Sequence, residues 1–226
     1  PLKASREIIG NTKYSLYDEN TEKGMNFYDM LMKKDKSNKE IIFAKDYKTS
    51  LKVHRFAYDN IVRSLTEDNE GSSTVTPSLS LVESFDYLDG SKGTLKYKQA
   101  NGDYIVYDNI SDIFANKAAR LYGTVIYPGT TFRNLPVDIQ AGVAEWRDGK
   151  YVLTTSTLGS KYEADGGKWT GFDGPKDSEQ FVSNTGFYIR KFVSDASQAS
   201  TRGTSAENWW PWFRLGEIYL NAAEAA

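Results

Sequence analysis

The chain has 226 residues, 39% hydrophobic and 26% charged, which is enough length and apolar content to bury a core and excludes a disordered polymer. Its 28 basic and 30 acidic residues are interspersed and sum to a net charge of -2, so no electrostatic feature recommends nucleic acid or an anionic membrane surface. Cysteine is absent, which excludes disulfide and thiol chemistry, and no apolar run is long enough to span a bilayer.

The elements follow in chain order. Leu2, Arg6 and Ile9 share a helical face, and Gly10 is a stop signal. The stretch 26–34 (NFYDMLMKK) carries Phe27, Met30 and Leu31 at helical spacing, and 40–47 (EIIFAKDY) is a short apolar run bounded by charge, which predicts a strand. In TPSLSLVESFDYLDG (76–90), Thr76 is the predicted N-cap and Pro77 the first helical residue. Leu81, Val82, Phe85 and Leu88 then make one apolar face, ended by Asp89-Gly90. Ser111 and Asp112 begin a predicted short helix through Ala119. LYGTVIY (121–127) and GFYIRKFV (186–193) read as strands.

Between those two strands, 129–185 is a long polar stretch punctuated by glycine and bearing Trp146, Tyr151, Tyr162, Trp169 and Phe172. A loop region of this length in a compact domain is functional or disordered, and its spaced aromatics argue against disorder. The chain closes on ENWWPWFRLGEIYLNAAEAA. Here Asn208 is the predicted cap, Pro211 falls in the first turn, and Leu215, Ile218, Ala222 and Ala225 form a helical stripe. Trp209, Trp210 and Trp212 are expected to lock the entering loop by packing. The stripe finds no long partner among the other predicted helices, so the helix is expected to continue past Ala226.

Catalytic chemistries have little to stand on. The single histidine, His54, cannot build a multi-histidine metal site, and no G-x-S-x-G elbow supplies a nucleophile for it. Asp86 and Asp89 read as a solvated helix stop and not as a glycosidase pair. No phosphate-binding glycine motif occurs, and Asp165, Asp173, Asp177 and Glu179 lack the spacing of a calcium loop. The sequon Asn109-Ile110-Ser111 reads as chance. No cofactor and no metal are expected.

NKAARLYGTVIYPG (116–129), TGFYIRKF (185–192) and WPWFRLGEIYLNAAEA (210–225) resemble successive motifs of the SusD/RagB family. TPSLSLVESFDYLDG, EIIFAKDY and ASREIIGNTKYSLYD (4–18) resemble earlier ones, in the same order along nearly the whole chain. One departure is Ala118-Ala119, where the family commonly carries Asp-Pro before the arginine; this removes a capping oxygen ahead of Arg120. The resemblance implies a mainly α, SusD-like fold: tetratricopeptide-like helix pairs with long irregular loops and a few short strands. It further implies a cell-surface lipoprotein at the extracellular face of the outer membrane of Bacteroidota. Such a protein captures oligosaccharides, or in some members peptides, and delivers them to a SusC-type TonB-dependent transporter. Its only membrane attachment is a lipid anchor outside this chain. Family members run to more than twice this length, so 1–226 is expected to be one SusD-like domain incomplete at both ends, with 129–185 as a loop region within it.

A binding protein, and not an enzyme, is therefore the expectation, with a peptide-capturing member or a glycoside hydrolase as alternatives. Sugar rings present C–H faces and a hydroxyl rim, so a site needs flat aromatics flanked by polar groups. Trp169 in GGKWTGFDG, beside Lys168 and Asp173, is the leading platform, followed by Trp146, Tyr151 and Tyr162.

Overall fold

The computed structural model describes residues 1–66, 73–154, 170–175, 181–196 and 205–226. Among them are six helices, three of which have eight residues or more, and short antiparallel strand pairs set in long irregular segments. Leu2–Ile9 forms helix α1, closed at Gly10, whose N–H returns to the Arg6 carbonyl (2.9 Å). Lys23–Met32 forms α2 and buries Tyr28, Met30 and Leu31. The last carbonyls of a helix lack internal partners; here the Asn38 side-chain amide donates to the Met30 carbonyl (2.8 Å) and the Lys33 carbonyl (3.0 Å).

Ile41–Lys45 (β1) is a strand, as its pattern predicts, but its partner is the tryptophan-rich segment, Trp210–Arg214 (β8). The helix predicted to begin there begins only at Leu215, as α6 (Leu215–Glu224). The reason lies in the register. Residues two apart share a face of a regular strand, but the pairing steps from Phe43–Phe213 to Ala44–Pro211 and leaves Trp212 without an opposite residue. This bulge lets Trp210 turn inward, stacked on Phe192 (4.3 Å between centroids) and edge-on to Phe56 (5.0 Å), while Trp212 stays 59% exposed beside Phe43. Pro211 faces Ala44 where the register shifts, a place that tolerates a missing donor. Trp209 also locks its segment, its indole N–H donating to the Leu31 carbonyl (2.9 Å).

The Leu215, Ile218 and Ala222 stripe does have a partner in this chain: α6 packs along α1. On α1 the buried residue is Ser5, and the predicted Arg6 is exposed, so a small side chain sits at the crossing.

Arg120–Thr124 forms α5, a helix where a strand was predicted; only Val125–Ile126 (β2) is extended, paired with Tyr188–Ile189 (β7). Packing overrides β-propensity at this point. Gly123 lies so close to α2 that an added Cβ would stand 2.7 Å from the Gly24 carbonyl, and a Cβ on Gly24 would stand 2.8 Å from Tyr122. Two facing glycines let α5 and α2 cross nearly backbone to backbone. The helix predicted from Thr76 starts later: Ser78 is the cap of Leu79–Glu83 (α4), its Oγ accepting from the Leu81 N–H (3.1 Å). Val82 is fully buried, whereas Leu81 and Leu88 are exposed, so the predicted four-residue face reduces to Val82 and Phe85. Asp112–Phe114 is a single 3-10 turn that stops short of Ala119, and Phe56–Asn60 (α3) is a helix the sequence pattern does not announce.

Consecutive strand residues face opposite ways, and β2 with its partner uses this to wall off two cores. Val125 and Phe187 join Val82, Phe114 and Leu121 on one side. Ile126 and Tyr188 join Ile61, Val62, Phe132, Val137 and Val193 on the other.

Trp210→Ala is expected to cost about 3 kcal/mol in chemical denaturation and Trp212→Ala less than about 1 kcal/mol, because only the first ring fills packed space. Gly123→Ala is expected to cost about 1–3 kcal/mol by forcing α5 away from α2.

Candidate functional site

Part of 129–185 is ordered structure and not loop. Thr131–Phe132 (β3) pairs with Leu135–Pro136 (β4), and Val143–Arg147 (β5) with Lys150–Thr154 (β6). The second hairpin turns on Asp148 (φ 51) and Gly149 (φ 78), the two positive values that a tight two-residue turn requires and that Asp-Gly supplies cheaply. The turn sets Trp146 directly opposite Tyr151, their rings edge to face at 4.9 Å. The pair stays open to solvent, with Trp146 63% exposed.

A second turn faces this hairpin. Lys98 and Tyr104 bridge, the Gln99 N–H donates to the Asp103 carbonyl (2.8 Å), and Gly102 takes φ 90 to close the reversal. Lys98 Nζ sits 5.2 Å from the centroid of the Tyr104 ring. Between the two turns lies a cleft of about 520 Å³ lined by Tyr104, Trp146 and Tyr151, with Gln99, Asp103 and Lys150 at its polar positions. Three aromatic rings beside an amide, a carboxylate and an ammonium can stack on the C–H face of a ring and hydrogen-bond its hydroxyl edge.

Of the residues predicted for the site, Trp146 and Tyr151 are brought together. Tyr162, Lys168 and Trp169 lie outside the described residues. Asp173 is elsewhere in kind: it is 1% exposed and accepts from the Ser64 N–H (3.0 Å), the Ser64 hydroxyl (2.6 Å) and the Asp138 N–H (3.4 Å). Its carbonyl takes the buried Tyr188 hydroxyl (2.6 Å), whose pKa burial raises. Arg63 adds a hydrogen bond to the Phe172 carbonyl (2.7 Å), so 170–175 is clipped onto the turn at Arg63–Leu65. Tyr104, Gln99, Asp103 and Lys150 line the cleft and were not among the predicted residues. Their signals were the Asn101-Gly102 and Asp148-Gly149 pairs flanked by alternating aromatics, which mark hairpins.

The other polar candidates serve the fold. His54 accepts from the Phe56 N–H at Nδ1 (3.2 Å), bonds the Asn208 carbonyl through Nε2 (3.0 Å) and abuts Tyr47. Asp86 accepts from the Gly93 N–H (3.0 Å) and Asp89 from the Ser91 N–H (2.9 Å), both closing turns. Among the described residues no group of three or more His, Asp or Glu is placed to hold a metal. Asp165, Asp177 and Glu179 lie outside them.

The SusD family profile matches residues 39–226, and the chain belongs to that family. No curated protein matches it. Its fold is similar to that of a SusD-like carbohydrate-binding protein from Bacteroides fragilis, at 21% identity and a TM-score of 0.64, over 99% of this chain and 35% of that one. A second SusD-like protein from the same organism aligns at 21% identity and a TM-score of 0.56, over 99% of this chain and 38% of the other. The chain therefore spans little more than a third of the length of these solved relatives.

Asp173→Ala is expected to destabilise the protein by about 2–3 kcal/mol, since it strands buried donors of Ser64 and Asp138. The melting midpoint checks it.

Proposed function

We propose that this chain is the part of a surface glycan-binding protein that contacts oligosaccharide, through the cleft of Tyr104, Trp146 and Tyr151. The observation that carries the reading is the cross-strand Trp146–Tyr151 pair, left open to solvent beside a third ring and three polar side chains. Family membership supports the reading, as does a solved relative described as carbohydrate-binding, and the family match points to no enzymatic family. In this reading, capture precedes delivery to a SusC-type TonB-dependent transporter at the extracellular face of the outer membrane, and a lipid anchor outside this stretch holds the protein there. The tetratricopeptide-like pairing belongs to the same reading and is supported by α6 lying along α1. So does the treatment of 1–226 as one SusD-like domain, whose 129–185 region presents the aromatics; Trp169, Tyr162 and Lys168 join the substitutions that test it.

Ring stacking contributes about 1–3 kcal/mol per aromatic by analogy with nucleobases, so dissociation constants in roughly the micromolar to millimolar range are expected. Titration calorimetry against a panel of neutral oligosaccharides tests the proposal. Trp146→Ala is expected to weaken binding about tenfold or more with little change in melting midpoint. Unchanged affinity in both Trp146→Ala and Tyr104→Ala removes the cleft from the site. Sustained release of reducing ends from the same panel replaces capture with hydrolysis.

A further inference from the structure

A second cavity, of about 420 Å³, lies between the β3–β4 turn, α5 and the segment after β7, lined among others by Tyr122, Arg133, Arg190 and Asp195. Two arginines wall it, and both are deeply buried: Arg190 is 2% exposed and Arg133 7%. A buried guanidinium is retained where its N–H groups have acceptors, because desolvating an unpaired charge costs several kcal/mol. These two are only half satisfied. One Nη of Arg190 donates to the Thr131 carbonyl (2.7 Å) and Nε of Arg133 to the Ser194 carbonyl (3.1 Å). Arg190 Nε and Arg133 Nη1 are buried without a hydrogen-bond partner.

The backbone gives an independent indication. Arg133 (φ 51) and Asn134 (φ 61) are the two residues of the β3–β4 turn, and both lie in the left-handed region. Asn is at home there and Arg is not; Asn, Asp or Gly would make that turn with less strain. An unfavourable residue that is also buried and under-bonded is held for something other than the turn. Arg190 is meanwhile fixed in plane, 4.2 Å from the Tyr122 ring centroid and 5.2 Å from that of Phe132. The two rings restrict the plane of the guanidinium.

We propose that Arg133 and Arg190 form a binding site for a small oxyanion, a carboxylate or a phosphate, in the cavity they share. The unpartnered N–H groups are closed to solvent; a small side-chain shift that turns them to the cavity lets them supply charge-assisted hydrogen bonds, which are the strong kind and suit the flat or tetrahedral oxygens of such a group. Asp195 is the one carboxyl lining the cavity, against two guanidinium groups, so the site carries excess positive charge. Burial holds that carboxyl above the usual carboxylate range and lowers both arginines from theirs, the same desolvation that an entering anion would offset. This site is separate from the aromatic cleft and does not depend on the glycan reading.

The test is calorimetric titration of the 226-residue chain with sodium phosphate and with sodium glucuronate at constant ionic strength, with sodium chloride and glucose as controls. Saturable one-to-one binding of at least one oxyanion is expected, with no response to chloride or glucose, and the anion that binds identifies the source. Arg133→Asn is expected to weaken it at least tenfold while the melting midpoint of the anion-free variant is unchanged or higher, because Asn suits the turn. Arg133→Gln, which keeps reach without charge, is expected to weaken it equally. Absence of saturation with both oxyanions, or wild-type affinity in either folded variant, overturns the site.

Discussion

Glu40 joins three distant stretches of the chain. Its carboxylate is buried and each oxygen is taken: one accepts the Tyr17 N–H (2.8 Å) and the other meets the Arg214 guanidinium (2.8 Å). Its own carbonyl accepts the Leu215 N–H (2.8 Å), the first amide of α6. A buried carboxylate without partners is intolerable, so this residue enforces the approach of the N-terminal loop, β1 and the β8–α6 junction together. The consequences spread outward. With Arg214 set opposite Ile41, the β1–β8 register turns Trp210 inward onto Phe192 and Phe56. With α6 started at Leu215, its apolar stripe lies along α1.

The second constraint is the thin wall of β2 and β7. Two residues of pairing are enough, because Val125 and the adjoining Phe187 face one core while Ile126 and Tyr188 face the other. That wall also holds Arg190, whose N–H, with that of Lys191, returns to the Thr124 carbonyl at the end of α5. The fold thus places a charged side chain at a core boundary and fixes its plane against Tyr122 and Phe132. The aromatic cleft is built by different means, from two tight turns that leave Trp146 and Tyr104 exposed.

Much of the aromatic cleft was legible locally and unread as a unit. Trp146 and Tyr151 were recognisable as candidates from composition, and the Asp-Gly between them announces the hairpin that makes them neighbours. Tyr104 belongs to another turn forty residues earlier, roughly counted, and no local pattern pairs two turns across that separation. Asp173 shows the opposite case. Its setting in a glycine-rich aromatic stretch looks like a ligand contact, yet its carboxylate is used up by Ser64 and Asp138. Burial of one carboxylate is decided by which backbone amides arrive around it, and sequence spacing is silent on that.

The sequence by itself determined the family, through motifs kept in order along the chain, together with α1, α2 and β1, whose periodicities are strong and local. Tertiary structure decided the rest wherever two contacts competed for the same residues. Leu121–Thr124 has strand composition but is helical because Gly123 meets Gly24 across α2. Trp210–Arg214 has the cap and proline of a helix start but is extended because β1 offers it a ladder and a pocket for one tryptophan. Local propensity is worth tenths of a kilocalorie per residue, about 1 kcal/mol at most short of proline, whereas a buried aromatic is worth several times that, so packing wins.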